Sequence, residues 1–437
     1  MSPALQYTLP VFIFALGACV GSFLNVVVWR LPRKESLITP PSHCPKCNKL
    51  LKIYDNLPVI GWLMLGGRCR FCREKISPRY PIVEAITGLL FLGYYFAFFV
   101  WNMGPCQAIV LHGDHAVAFR PALDITRDWP IYAMDMVLIS GLLAASLIDA
   151  ELFMIPASIP LLLTAVAIVV HTINDQPYTS GGLIAAPMPA ALALGATIGL
   201  AISALLLHLG FLPMSFSEGE PLLEVDRAKL EKEKQERQRE REKNEKRSKS
   251  KQSLEPEEDD PDMRVWTPAE IRREIRKEIL FLLPPLGLGF LFAVMVWRVP
   301  AVASAWNRAM QYRWLAAMLG SILGGLVGGF TVWLTRILGS IGFGREAMGL
   351  GDVDLMVAVG AALGAGASVV AFFLAPAFGL AIALYLLLTG TRREIPYGPY
   401  LSLGSAAAIL YYCDIAAYMA PGLHVIMQML RNSLGNW

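Results

Sequence analysis

Two aspartates and four cysteines carry the chemistry legible in this 437-residue chain. Asp149 closes an apolar run in Leu147-Ile148-Asp149-Ala150-Glu151-Leu152-Phe153-Met154-Ile155-Pro156. Asp352 sits in Met348-Gly349-Leu350-Gly351-Asp352-Val353-Asp354-Leu355, where apolar sequence resumes. Acidic side chains at membrane depth are costly and mark functional positions; Glu84, Asp135, Asp354 and Asp414 share that setting. Two carboxylates held close together cannot both ionise easily, so they share a proton. The ionised member activates water against a peptide carbonyl while the protonated member donates to the carbonyl oxygen. Glycines at 349 and 351 permit close backbone approach beside the second aspartate. Taken singly, each aspartate reads equally well as a helix cap at the membrane interface. The pair at one depth points to aspartyl-protease chemistry.

The cysteines form Cys44-Pro-Lys-Cys47 and Cys69-Arg-Phe-Cys72. Two C-x-x-C pairs at this separation fold as facing knuckles that offer four thiolates to one tetrahedral ion. Neighbouring Lys and Arg favour thiolates and offset the charge of a Zn(Cys)₄ centre. With no open position required, the site reads as structural zinc; a redox dithiol is the competing reading. Cys19 and Cys413 fall in apolar runs and read as packing residues. Cys106 stands alone.

These residues must be positioned by a membrane-embedded scaffold. Hydrophobic residues make up 55% of the chain and charged residues only 17%, against about 25% charged in soluble domains. Mean hydropathy is +0.49. The fold class is therefore an all-α polytopic membrane protein, and a net charge of +3 gives no footprint for nucleic acid. Apolar segments of about 18 residues or more are candidate spans. They fall at 9–29, 81–101, 131–148, 155–173, 188–212, 279–297, 314–335, 367–388 and 401–420, with a shorter piece at 353–365 that is either a further span or a re-entrant helix. About eight to ten membrane helices are expected.

Basic residues set the orientation. Residues 30–80 carry eleven Lys and Arg, whereas 102–130 hold only Arg120 and Arg127 and 174–187 hold none. Every basic loop falls on one side if the N-terminus is outside. That places 30–80, 149–154, 213–278, 336–352 and 389–400 in the cytoplasm, and both aspartates at the cytoplasmic face. Stable disulfides are disfavoured there, which favours metal at the four cysteines. The domain plan is a first span at 9–29, a tetracysteine domain at 30–80, spans across 81–212 with Asp149, a charged insertion at 213–278, spans across 279–420 with Asp352, and an external tail at 421–437.

The insertion has its own pattern. Between Arg227 and Lys251 it holds twelve Lys and Arg with six Glu, a run that forms a solvated helix or stays disordered. Glu255–Asp262, with two prolines, reads as a linker. Thr267-Pro268-Ala269-Glu270 reads as a capping box opening a short charged helix over 268–278 that leads into the next span. The segment is either a tolerated insertion or a docking arm for a partner or anionic lipid.

The ordered set of motifs resembles the type IV prepilin peptidases, the bacterial membrane aspartyl proteases of pilus and type II secretion systems. The resemblance begins with Gly21-Ser22-Phe23-Leu24-Asn25-Val26-Val27-Val28-Trp29-Arg30-Leu31-Pro32 and continues through the tetracysteine loop, with Tyr54-Asp55-Asn56-Leu57-Pro58-Val59-Ile60 between its pairs. Ile76-Ser77-Pro78-Arg79-Tyr80-Pro81-Ile82-Val83-Glu84, the D-x6-P motif at Asp149, the G-x-G-D motif at Asp352 and Ile395-Pro396-Tyr397-Gly398-Pro399-Tyr400 complete it. It covers roughly 1–160 and 340–405.

The resemblance implies that Asp149 and Asp352 are the catalytic pair. It implies a substrate that is the leader of a type IV prepilin or type II secretion pseudopilin, cut at the cytoplasmic face of the inner membrane. It also implies methylation of the new N-terminus with S-adenosylmethionine, although no G-x-G-x-G loop on a strand–helix unit is present. Glu84, beside the cysteine loop, is either an amine-facing residue or a satisfied intramembrane carboxylate. The chain departs from the family at Asp354, where members often carry Lys, at Ala157, where many carry Asp or Asn, and in the insertion. A proton-coupled transporter and a zinc-bearing membrane scaffold are the alternatives. The first expects paired halves with sites near the midplane, and the second leaves the motif order unexplained.

Overall fold

The computed structural model describes residues 3–105, 108–112, 115–120, 122–174, 181–216, 267–344, 346–389 and 396–434. Among these, the apolar runs become helices: α1 (Pro3–Arg30), a short α2 (Ile60–Met64), α3 (Arg79–Phe99), α4 (Ile125–Leu152), α5 (Ser158–Ile173) and α6 (Pro187–His208). After the insertion come α7 (Pro268–Arg298), α8 (Pro300–Ala309), α9 (Arg313–Phe343), α10 (Leu350–Leu363), α11 (Ala365–Thr389) and α12 (Gly398–Leu434). Eight of the described helices are long and apolar enough to cross a membrane, as the composition requires. The expected span at 155–173 is the 16-residue α5, about 24 Å long. The piece at 353–365 is the 14-residue α10, about 21 Å long and short of a ~30 Å hydrocarbon core.

One element escaped the helical reading. Strands Ala108–His112 and His115–Phe119 pair antiparallel, with Ile109 opposite Ala118 and Val110 opposite Val117. Their β-branched content favours the pleat. This hairpin packs beside α12.

Helix ends follow local chemistry. Asp124 caps α4 by accepting the Thr126 N–H at 2.8 Å. The capping box at Thr267 and Glu270 is present, with the Thr267 N–H donating to Glu270 Oε2 at 2.8 Å. It opens a continuous helix, so the charged turn 268–278 and the following span are one rod. That rod passes through Pro284 and Pro285. Helix α9 also outruns the apolar stretch: expected to end before a loop at 336, it continues to Phe343. The reason is Arg336, which is buried and ion-paired to Glu278 of α7, so its charge does not break the span.

Small residues bring the helices close, as they do in lipid. A methyl group on Gly324 of α9 would collide with the Gly360 carbonyl of α10, and one on Gly328 with the Met356 carbonyl. Gly195 and Gly199 of α6 meet the backbone of α7 at Leu288 and Pro284 in the same way. The main core lies among α3, α4, α5, α10, α11 and α12, with Leu138, Ile148, Leu355, Met356 and Leu401 fully enclosed. Both motif-bearing helices, α4 and α10, run through it.

Candidate active site and metal centre

Asp149 lies in the last turn of α4, which ends at Phe153 in the left-handed region at φ 53°. The Asp149 side chain is 7% exposed and accepts the Gly398 N–H on Oδ2 at 3.0 Å. Gly398 opens α12, and no larger residue fits there: an added methyl group would lie 2.6 Å from Asp149 Oδ2 and 3.1 Å from Ile155. Ile155 also meets Gly351, where a methyl group would lie 2.9 Å from its Cβ. Three distant motifs, D-x6-P, G-x-G-D and the Tyr397-Gly398 segment, therefore converge on Ile155.

Asp352 sits in the first turn of α10 and is 8% exposed. The Gly349 N–H approaches its carboxylate, and Asp149, Arg336 and Tyr397 lie within electrostatic range. The two aspartates named from sequence thus lie within electrostatic range of one another at the ends of two core helices. Asp354 does not join them, for it is exposed on the other side of α10. This is the helical consequence of a two-residue offset. Asp135 lies fourteen positions before Asp149 on α4, about 21 Å away along the axis. It lines a separate cavity of about 40 Å³ with Tyr412 and Cys413, and its Oδ1 has no hydrogen-bond partner. Asp414 is paired with Arg120 at 2.8 Å.

Glu84 is buried, and its Oε2 accepts the Val59 N–H at 2.7 Å. Val59 stands at φ 60°, and the bond fastens the tetracysteine domain to α3. A second tie joins Arg79 to Glu151, two residues past Asp149.

The cysteine loop folds as two similar knuckles. Cys44 N donates to the Lys49 carbonyl at 3.0 Å, and Cys69 N to the Glu74 carbonyl at 2.8 Å. Asn48 and Arg73, each following the second cysteine of its pair, take φ of 54° and 59°. Isolated bridges His43–Leu50 and Arg68–Lys75 flank the turns. Beyond the two C-x-x-C pairs themselves no sequence repeat announces this likeness; it resides in the turns. All four Sγ atoms lie within 4.8 Å of one another, with Cys44–Cys72 at 3.8 Å and Cys47–Cys69 at 4.0 Å. Zinc–sulfur bonds of about 2.3 Å place tetrahedral sulfurs about 3.8 Å apart, so the thiols fit the ion. Backbone N–H groups of Cys72 and Phe71 draw the Cys69 thiol down to about 6, whereas the Cys72 thiol, although the Glu74 N–H lowers it, is pushed up to about 12 by burial and the neighbouring sulfurs. Between the knuckles, buried Asp55 receives Arg70 through Nε at 3.0 Å and Nη2 at 2.5 Å.

Two cysteine expectations are corrected. Cys413 is disulfide-bonded and so is no mere packing thiol. Cys19 is free but exposed on α1. Cys106 and residues 217–266 of the insertion lie outside the described residues.

Sequence reasoning missed Arg336 and its partners. The buried Arg336 donates to Glu278 at 2.8 Å, to Glu346 at 2.6 Å and to the Met348 carbonyl, just ahead of the G-x-G-D motif. The available signal was one basic and one acidic residue abutting apolar runs at 336 and 278.

The described chain is thus a set of membrane-length helices with two enclosed carboxylates at helix ends and a four-cysteine knuckle domain. Comparison with known proteins finds two family models that match parts of the chain. Residues 15–98 match the Bacterial Peptidase A24 N-terminal domain, and residues 272–384 match the Type IV leader peptidase family. The expected resemblance to the prepilin peptidases therefore holds, with Asp352 inside the second match and Asp149 between the two. A prepilin leader peptidase/N-methyltransferase of Myxococcus xanthus is 50% identical over 101 residues, 23% of this chain and 30% of that protein. A type 4 prepilin-like proteins leader peptide-processing enzyme of Escherichia coli is 40% identical over 157 residues, 31% of this chain and 57% of that one. A prepilin leader peptidase/N-methyltransferase of Stutzerimonas stutzeri is 32% identical over 180 residues, 36% of this chain and 53% of that one. The chain thus spans 30% to 57% of the length of these relatives. No solved structure matches it.

Proposed function

We propose that this chain is a membrane aspartyl endopeptidase that removes the leader of type IV prepilins or type II secretion pseudopilins at the cytoplasmic face of a bacterial inner membrane. The observation that carries the reading is the enclosure of Asp149 and Asp352 around Ile155 and Gly398. In the reaction, the ionised carboxylate takes a proton from water as the water oxygen attacks the scissile carbonyl carbon. The protonated carboxyl donates to the carbonyl oxygen, forming a tetrahedral diol. Collapse breaks the C–N bond, the leaving amine takes a proton, and the new carboxyl terminus departs with the leader. The Gly398 N–H holds Asp149 in one orientation, and the Gly349 N–H lies beside the Asp352 carboxylate.

Cysteine chemistry supports the assigned faces. Cys413 lies fifteen residues beyond Gly398 along α12, about 22 Å towards the other end of the bundle. Disulfides persist outside the cytoplasm, whereas thiols inside it stay reduced. A bonded Cys413 and four free cysteines in the 44–72 domain match an outer and a cytoplasmic end.

Cys44, Cys47, Cys69 and Cys72 would hold a structural zinc that cross-links the two knuckles. N-methylation of the cleaved product with S-adenosylmethionine rests on the relatives' names, and the described residues offer no assigned site for that cofactor. The lipid bilayer and the prepilin are the partners in this reading. Membranes containing the protein, incubated with a prepilin, should release a shortened product by mass spectrometry. An unshortened prepilin with the well-inserted protein would defeat the proposal.

A further inference from the structure

Arg336 is 1% exposed in the interior of α9. A guanidinium does not deprotonate in a protein, so burying it demands acceptors. It finds them on separate elements: Glu278 of α7, and Glu346 and the Met348 carbonyl in the link between α9 and α10. Glu278 is itself 2% exposed and also accepts from Trp333 Nε1 at 3.2 Å and Ser215 Oγ at 3.1 Å.

The link from Phe343 to Leu350 is short and contains Gly344 and Gly349, and none of its described residues lies in a helix or strand. Two side chains one turn apart on α9 grip it. Ser340 Oγ accepts the Ala347 N–H at 3.1 Å, and Arg336 holds Glu346 and Met348. The next residue, Gly349, directs its N–H at Asp352, and Gly351 packs on Ile155 beside Asp149. A displacement of Met348 is therefore passed to both ends of the carboxylate pair.

We propose that Arg336 is a positioning residue for the reaction: it fixes the 346–349 segment so that Asp352 meets Asp149, and Glu278 locks the guanidinium in place. The inference rests on the peptidase reading for its activity arm alone. A purely structural ion pair predicts otherwise, because well-packed apolar replacements of both partners are often neutral or stabilising.

The test uses the full-length protein in membranes, comparing wild type with Arg336→Lys, Arg336→Met and the double variant Arg336→Met/Glu278→Met. Arg336→Met leaves Glu278 buried without its cation and should insert or fold poorly. The double variant removes that conflict and should recover a folded yield. Its kcat for prepilin cleavage should nonetheless fall about 30-fold or more with KM little changed, since small misplacements of catalytic groups cost that much. Amides of 346–352 should exchange with solvent about tenfold faster than in wild type, while 353–363 stay protected. Arg336→Lys, which keeps the charge but not the fork, should fall between. A folded double variant with wild-type kcat, or with unchanged exchange at 346–352, overturns the inference. Wild-type protein that fails to cut prepilin removes the peptidase reading instead, and the exchange arm still decides the positioning role.

Discussion

Gly398 and Asp149, 249 positions apart, are joined by a hydrogen bond of 3.0 Å from the glycine N–H to Asp149 Oδ2. The contact is possible because position 398 has no Cβ. Gly398→Ala should therefore displace the carboxylate and lower kcat by about a hundredfold, while the helix propensity of alanine keeps α12 intact. Cleavage kinetics on inserted protein check this, and near-normal kcat would separate Asp149 from the reaction.

Asp149→Asn and Asp352→Asn should each reduce leader cleavage by about a thousandfold or more, because an amide keeps the shape and loses the proton transfer. Asp354→Asn should retain substantial activity, since that side chain is exposed away from the pair. A dead Asp354→Asn beside an active Asp352→Asn would move the catalytic role by two residues.

Metal analysis of purified protein should find one zinc per chain. Substituting Cys44, Cys47, Cys69 or Cys72 with serine should lose it, and protease sensitivity should appear at 40–75 before cleavage activity declines. The lag follows from geometry: Val59–Glu84 fastens the domain to α3, and Arg79–Glu151 joins α3 in turn to the end of α4. Zinc-free protein with the four sulfurs paired as disulfides would refute the centre.

The Arg70 hydrogen bonds hold the Asp55 carboxyl below the usual carboxylate range. A free aspartate titrates near about 3.9, so the unfolded domain binds the proton more tightly. The stabilisation is then complete above that value and lost as pH falls through the lower folded one. Wild type should out-melt Asp55→Asn by a constant margin between pH 8 and pH 5, shrinking only below about pH 4. Fluorescence of Trp62, which lies within the domain and donates to the Ile76 carbonyl at 3.1 Å, reports the transition. Equal melting at pH 7 would strip the ion pair of its role.

Deleting 222–262 and rejoining the ends with a flexible linker should leave cleavage at saturating prepilin largely intact. The segment has few apolar side chains to bury, and loop closure costs little extra entropy. Its flanks are independently held: Phe216 N donates to Glu274 Oε2 at 2.8 Å, Lys277 reaches the Met214 carbonyl, and Thr267 caps α7. Any defect should appear in KM and weaken with salt. An inserted deletion protein without turnover at any prepilin concentration would give the arm a part in shaping the site.

The sequence by itself determined the helical membrane fold, because spans must bury every backbone polar group within a helix or barrel and so announce themselves in composition. It also determined the knuckle thiols, whose partners sit within a few residues and whose chemistry is carried by spacing. The capping box at Thr267 was equally local, and equally legible. What only the tertiary structure decided was long-range: that Gly398 seats Asp149, that Ile155 bridges it to Gly351, that Glu84 is spent on Val59, and that Cys413 is bonded. Arg336 shows why. As a residue at the edge of an apolar run it reads as the start of a loop, yet its burial is stabilised by Glu278, 58 positions away. The energy of a buried charge depends on which acceptors surround it, and that is a property of the packed helices rather than of any stretch of chain.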